Sequence, residues 1–230
     1  MNKEGRLVLR DDVIRKQLSD AIVRGDAETA EAKAKILAQY AEDPAEALDD
    51  LYDAYRTVES LHALGEYDEE RFSASSNAVQ AALNPLKSSL VPRQSRFTAR
   101  ISVGPVSGGT DLMSAIVTAM FCAAGHQATD LSRSTTPKEL LRNAEQNNAE
   151  LLVVSFGPET AGLTEEFVRE FESGGFQNKF QAIAFTRGSQ PARTEPDPFV
   201  FVTHEPVELL SKTTEFVIRS RTSPRKQSID

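Results

Sequence analysis

Ile101-Ser102-Val103-Gly104-Pro105-Val106-Ser107-Gly108-Gly109-Thr110-Asp111-Leu112-Met113 reads as an apolar strand running into a glycine-rich turn and then into the apolar segment Ala115 to Phe121. Such a passage is the first strand-to-helix corner of an open α/β sheet. The crevice beside that corner is where sheets of this kind bind their ligands. Outward from it, short β-rich runs alternate with helical patterns. The strands are expected over Thr98 to Val103, Gln127 to Asp130, Leu151 to Ser155, Ala182 to Thr186 and Phe199 to Thr203. Helices are expected over Asp111 to Ala124, Pro137 to Asn147, Leu163 to Ser173 and Glu205 to Arg219. That alternation predicts a doubly wound, five-stranded parallel sheet over 98–219, with helices on both faces. The tail 220–230 is polar, locally basic and expected to be flexible.

Residues 11 to 92 have a different texture and read as helices only. Val13, Ile14, Leu18, Ile22 and Val23 recur at helical spacing, and Gly25-Asp26 breaks the pattern and caps the next helix. Ala30, Ala34, Ile36, Leu37 and Tyr40 carry a second stripe that ends before Asp43-Pro44. A third helix beginning at that proline and ending at Gly65 has Leu48, Leu51, Tyr52, Tyr55, Val58 and Leu61 on its apolar side. A fourth, from Glu69 to Leu90, carries Phe72, Ala78, Val79, Ala82, Leu83 and Leu86. Four helices with short loops predict a four-helix bundle over 1–92. Pro92 and the polar residues 93–97 form the linker.

Composition excludes several classes of function. With 230 residues and 40% hydrophobic content, the chain can build a real core. A net charge of −8 lacks the basic footprint of a nucleic-acid binder. No run approaches the ~18 apolar residues of a membrane span, and no signal peptide opens the sequence. The single Cys122 excludes an internal disulfide and a multi-cysteine metal site. The expectation is a cytoplasmic protein that contacts neither membrane nor nucleic acid.

The layout resembles the cobalamin-binding subunits of corrinoid-dependent methyltransferases, a helical cap followed by a flavodoxin-like domain. Gly65-Glu66-Tyr67, then Phe72, Ala78 and Leu83 to Leu86, resemble the cap's Gly-Glu-Tyr-Phe and Ala-Met region. Val103 to Phe121 is similar to the segment built around Asp-x-His-x-x-Gly. Gly125 to Leu131 resembles the second strand, and Leu151 to Ser155 the third, which ends in a serine near the corrin's nucleotide tail. The similarity spans roughly residues 13 to 215. It implies a corrin between cap and sheet, lined below by Gly108, Gly109, Thr110, Asp111 and Ser155 and covered above by Tyr67 and Phe72.

The departure lies at the chemical centre. The resemblance implies a cobalt-ligating histidine, held by an aspartate that fixes its tautomer. With one residue deleted, Thr110 falls at the histidine position and Gly109 near the aspartate. A threonine hydroxyl is a poor cobalt ligand. The family's later Gly-Gly turn, which leaves room for the nucleotide tail, is replaced around Phe185-Thr186-Arg187-Gly188. His62, His126 and His204 read respectively as a helix-end residue, a turn residue and a helix-start residue rather than as ligands.

Other chemistries fit less well. The spacing from Gly104 to Gly109 is neither Gly-x-Gly-x-x-Gly nor a Walker loop, no lysine follows, and Asp111 adds negative charge where an anion would sit. Thr110 and Asp111 are equally fit to cap a helix. A phosphorylatable receiver would need acidic residues where Gly104-Pro105 and Ser155-Phe156 stand. Ser155 lacks a Gly-x-Ser-x-Gly elbow, Cys122 reads as a buried small hydrophobe, and Asp68-Glu69-Glu70 as a solvated helix start. Three readings remain. The first is a non-catalytic sensory, regulatory or adaptor protein on a cobalamin-binding fold without the histidine. The second is a corrinoid carrier or sensor that holds cobalamin without histidine coordination. The third is a protein-interaction module whose acidic bundle docks a partner or a second copy. The residues themselves name no cofactor and no catalytic group.

Overall fold

A computed structural model of the protein describes residues 3–92, 97–107, 111–134, 136–156, 161–186, 199–203 and 205–222. Four helices come first: α1 (Lys3–Arg24), α2 (Ala27–Tyr40), α3 (Glu46–Ala63) and α4 (Glu69–Ser89). Then come β1 (Arg100–Pro105), α5 (Leu112–Ala123), β2 (Gln127–Asp130), α6 (Pro137–Gln146), β3 (Leu151–Phe156), α7 (Ala161–Ser173), β4 (Gln181–Thr186), β5 (Phe199–Thr203) and α8 (Pro206–Thr222). A 3-10 turn at Phe176–Asn178 has no counterpart in the periodicity reading. Helix α1 begins earlier than its apolar stripe, and α8 runs on to Thr222, into the stretch read as tail; 223–230 lie outside the described residues.

The chain forms two compact units. One comprises residues 1–92 and 109–123, so that α5 groups with the four N-terminal helices; the other comprises 93–108 and 124–230. In the first, α2 and α3 each pack on both α1 and α4, and α5 packs on α3 and α4. Leu18, Ala21, Ile22, Ala30, Ala34, Leu37, Leu48, Leu51, Val58, Val79, Ala82, Leu83 and Leu86 are buried there, in stripes at helical spacing.

Two turns of this unit are made by the same device. After α1, Gly25 N–H donates to the Ile22 carbonyl and Asp26 N–H to that of Ala21. After α3, Gly65 N–H donates to His62 and Glu66 N–H to Leu61. Both are Schellman closures, and both glycines have φ of +75°. Asp26 and Asp68 then cap the next helices, accepting from the Thr29 and Arg71 amides. The acidic run at Asp68 is therefore a helix start.

In the second unit the strand order is β2-β1-β3-β4-β5, all parallel. Val103 pairs with Val153, Pro105 with Ser155, and Ser155 in turn with Phe185. On one face, Leu152, Val154, Phe156, Ala182 and Ala184 join Leu140, Leu141 and Ala144 of α6 and Phe167 and Phe171 of α7. Phe167 stacks on Phe199 at 5.6 Å, and Phe156 meets both edge-on. Gly104 is needed on this face, because a Cβ there would lie 2.7 Å from Leu140 Cδ1 and 3.0 Å from Leu131 Cβ. Ile101, Val103, Leu151, Val153, Ile183 and Phe185 point to the other face, as alternation along the strands requires.

The two turn glycines differ in one respect. A Cβ on Gly25 would sit 2.9 Å from Ala74 Cβ, whereas one on Gly65 meets nothing within 4 Å. Gly65→Ala is expected to lose about 1 kcal/mol, the left-handed backbone penalty alone. Gly25→Ala is expected to lose about 1 kcal/mol or more beyond that, because α4 must also move. Urea denaturation of the two variants side by side measures the difference; equal losses would show that the close approach of Gly25 to α4 carries no energy.

Candidate functional site

Among the residues singled out from the sequence, Gly108, Gly109 and Thr110 lie outside the described residues, as does His204. Asp111 is described and buried. Its Oδ1 accepts from Met113 N–H at 3.1 Å and its Oδ2 from the Ser114 hydroxyl at 2.6 Å, while its own carbonyl accepts from Ala115. Asp111 is the cap of α5. Its carboxylate covers a helix amide that an anion would otherwise use, so this helix start is no phosphate cradle.

Ser155 lies at the carboxyl end of β3, beside Pro105 and Phe185 in the ladder. It is 1% exposed, and its Oγ has no hydrogen-bond partner among the described residues. A buried hydroxyl without a partner costs about 1–3 kcal/mol, so it marks a place where a ligand atom would be welcome. Ser102 and Thr186 also carry unpartnered buried hydroxyls, but alternation along β1 and β4 turns both toward the α6–α7 face. The residues present therefore fit a corrinoid only in part: the Ser155 hydroxyl is unspent, but Phe185 fills the position beside it with a ring.

Tyr67 and Phe72 belong to the helical unit and are both engaged there. The Tyr67 hydroxyl donates to the Val23 carbonyl at 2.8 Å, tying the α3–α4 connection to the end of α1. The Arg71 guanidinium lies 4.4 Å over its ring. Phe72 stacks on His62 at 4.3 Å and 18°. His62 Nδ1 is 2.9 Å from the Tyr67 carbonyl, which can only accept, so Nδ1 carries the hydrogen; Nε2 faces Glu69 Oε1 at 3.5 Å. His126 is buried, and its Nδ1 accepts the Ala99 amide at 3.3 Å. Cys122 is half-buried rather than fully enclosed. Among the described residues no group of three His, Cys, Asp or Glu side chains is placed to hold a metal ion.

The helical unit also has a concavity that no motif announced. About 440 Å³ in volume, it is lined by Asp11, Asp12, Arg15, Leu37, Ala41, Glu42, Asp43, Glu46 and Ala47. Arg15 bonds Glu46 at 2.6 Å and is forked onto Asp50, which raises its already high pKa. Nearby, desolvation and then the carboxylates of Asp50 and Asp53 push the Asp49 carboxyl above its ordinary 3.8. The signal was available only as acidic residues spread over α1, the α2–α3 connection and α3, which no linear pattern gathers.

These carboxylates have two measurable consequences. Because the folded state raises the Asp49 pKa, its ionisation opposes folding as pH rises through that value, and the penalty vanishes below 3.8. Asp49→Asn should therefore stabilise the protein at neutral pH and not in acid; urea midpoints at both pH values measure this, and a pH-independent gain would refute it. Asp111→Ala should lose about 1–2 kcal/mol through the α5 cap, read as a lowered thermal midpoint, whereas an unchanged midpoint would show that the cap carries no stability.

Comparison with known proteins bears on these residues. Residues 14–87 match a family described as the B12 binding domain. No curated protein matches the chain. Among solved structures, the monomethylamine corrinoid protein of Methanosarcina barkeri has a TM-score of 0.71 at 15% identity, over 90% of this chain and 99% of that one. A cobalamin-binding protein from Desulfitobacterium hafniense DCB-2 has a TM-score of 0.46 at 16% identity, over 88% and 98%. The methanol:cobalamin methyltransferase complex MtaBC from Methanosarcina barkeri has 0.45 at 16%, over 93% and 86%. At such identities the first likeness speaks for the fold. No described helix is long and apolar enough to cross a membrane. Residues 14–87 thus resemble the B12 binding domain family, and the chain shares the fold of the monomethylamine corrinoid protein.

Proposed function

We propose that this protein binds a corrinoid whose cobalt it does not ligate, and that it acts as a sensory or adaptor module rather than as a histidine-on methyl carrier. The observation that carries the reading is Thr110, which stands where the resemblance places the cobalt-ligating histidine, in a chain with a B12 binding domain over 14–87. The described histidines support it. His126 turns Nδ1 to the Ala99 amide, and His62 is held between the Tyr67 carbonyl, Glu69 and Phe72. Asp111 puts its carboxylate on the start of α5, accepting from Met113 and Ser114.

A bound corrinoid would supply cobalt-centred reactivity of its own. The chain's part is recognition. Asp111 fixes the start of α5, and Tyr67, Phe72 and His62 fix the α3–α4 connection. A sensor must pass its state onward, so a protein partner or a second copy of the chain belongs to this proposal.

The test uses the full chain, reconstituted with hydroxocobalamin and desalted. Stoichiometric retention at ~1 µM or tighter is expected, together with, after one-electron reduction by an added chemical reductant, a cobalt(II) EPR spectrum that is the same in unlabelled and ¹⁵N-histidine protein. A colourless protein would sink corrinoid binding and leave the fold as a corrinoid-free adaptor. A splitting that changes with the label would show a histidine on cobalt. Light scattering and pull-down with and without the corrinoid test the sensory part; no change in association would refute it.

A further inference from the structure

Ser155 sits in the ladder between Pro105 of β1 and Phe185 of β4, in register with both. Paired residues of a parallel sheet project to the same face, so the three side chains form a row across the carboxyl ends of the central strands. Chain order reverses between β1 and β3, which makes this the switch point where open sheets admit a ligand. Ser155 and Phe185 are each only 1% exposed, and the Ser155 hydroxyl has no partner among the described residues. A polar atom at that depth calls for a partner. What stands beside it instead, one strand spacing or about 4.8 Å away, is a phenyl ring that cannot hydrogen-bond.

The size of the groups decides what could reach this row. A corrin macrocycle spans several strand spacings and cannot wedge between side chains of neighbouring strands. Only a flat, narrow group can, and in a cobalamin that group is the heteroaromatic base ending the nucleotide tail. Phe185 is itself flat and aromatic, and it is already buried there. Two rings cannot share one close-packed position.

Resting on the corrinoid reading, we propose that Phe185 takes the place beside Ser155 that a nucleotide base would occupy, so that this chain recognises corrinoids by the macrocycle and does not distinguish those with a nucleotide tail from those without. The base then stays outside the sheet, and Ser155 makes no ligand contact.

Titration of the full-length protein with aquocobalamin and with aquocobinamide, the macrocycle lacking the nucleotide, tests this by quenching of intrinsic fluorescence and by visible absorption. The two affinities are expected to agree within about threefold. Ser155→Ala is expected to leave both unchanged. Phe185→Ala should open the position and create a preference for cobalamin of roughly tenfold or more, with the base leaving cobalt in the visible spectrum. A wild-type preference for cobalamin beyond about threefold, or a loss of cobalamin affinity in Ser155→Ala, overturns the proposal. An unchanged ratio in a folded Phe185→Ala protein does so too. If that variant does not fold, the wild-type ratio and Ser155→Ala decide alone. Binding of neither corrinoid is a different failure, because it removes the corrinoid reading itself.

Discussion

β1 and β3 run side by side with Ser102 opposite Leu152 and Pro105 opposite Ser155, and that register governs what each face of the sheet can do. It sends Ser102, Gly104 and Val106 toward α6, where Gly104 must stay bare because Leu140 and Leu131 already fill the space its Cβ would need. The phenylalanine cluster of β3, α7 and β5 then closes that face. On the other face the same register lines up Ile101, Val103, Leu151, Val153, Ile183 and Phe185, an apolar surface with a polar interruption at Ser155. A slip of one residue would exchange the two faces and bury the serine among the phenylalanines. The position of the candidate contact is therefore a consequence of strand pairing, set before any question of ligand arises.

In the helical unit the order is reversed, and local chemistry comes first. Two Schellman turns end α1 and α3, and Asp26 and Asp68 start the next helices. Tyr67 then links the second turn to the end of α1, while His62, Phe72 and Arg71 pack around it. The Gly65-Glu66-Tyr67 stretch, which by resemblance belongs above a corrin, thus also closes the bundle. A residue held by a buried hydrogen bond and ring contacts has little freedom to move. The stretch is thereby a rigid edge of the bundle rather than an adaptable one.

Most of the fold was legible because its signals are local and redundant. Helical spacing marked the buried residues of α2, α3 and α4, and β2 and β5 fell on the residues expected. The ends were less legible. β1 begins two residues later than its β-rich run and extends through Pro105, which pairs with Ser155 at the strand's last position, where a missing amide matters least. The site was legible only as a list of residues. That Ser155 lacks a partner depends on the register of three strands, and that Tyr67 bonds Val23 depends on how α1 and α3 end. The acidic cavity around Arg15 draws on α1, α2 and α3 together. Periodicity reports which residues are inside; it does not report which of them meet.

On the proposed reading, with Thr110 at the histidine position, Asp111 shows how the start of α5 is used. In a coordinating site a carboxylate would hold an imidazole, and the metal–nitrogen bond would supply much of the binding energy. Here the carboxylate next in sequence is turned back on its own helix, occupied by the Met113 amide and the Ser114 hydroxyl. On that reading recognition rests on shape and buried area rather than on a coordinate bond, and such contacts sustain reversible binding while leaving the metal's reactivity unadjusted.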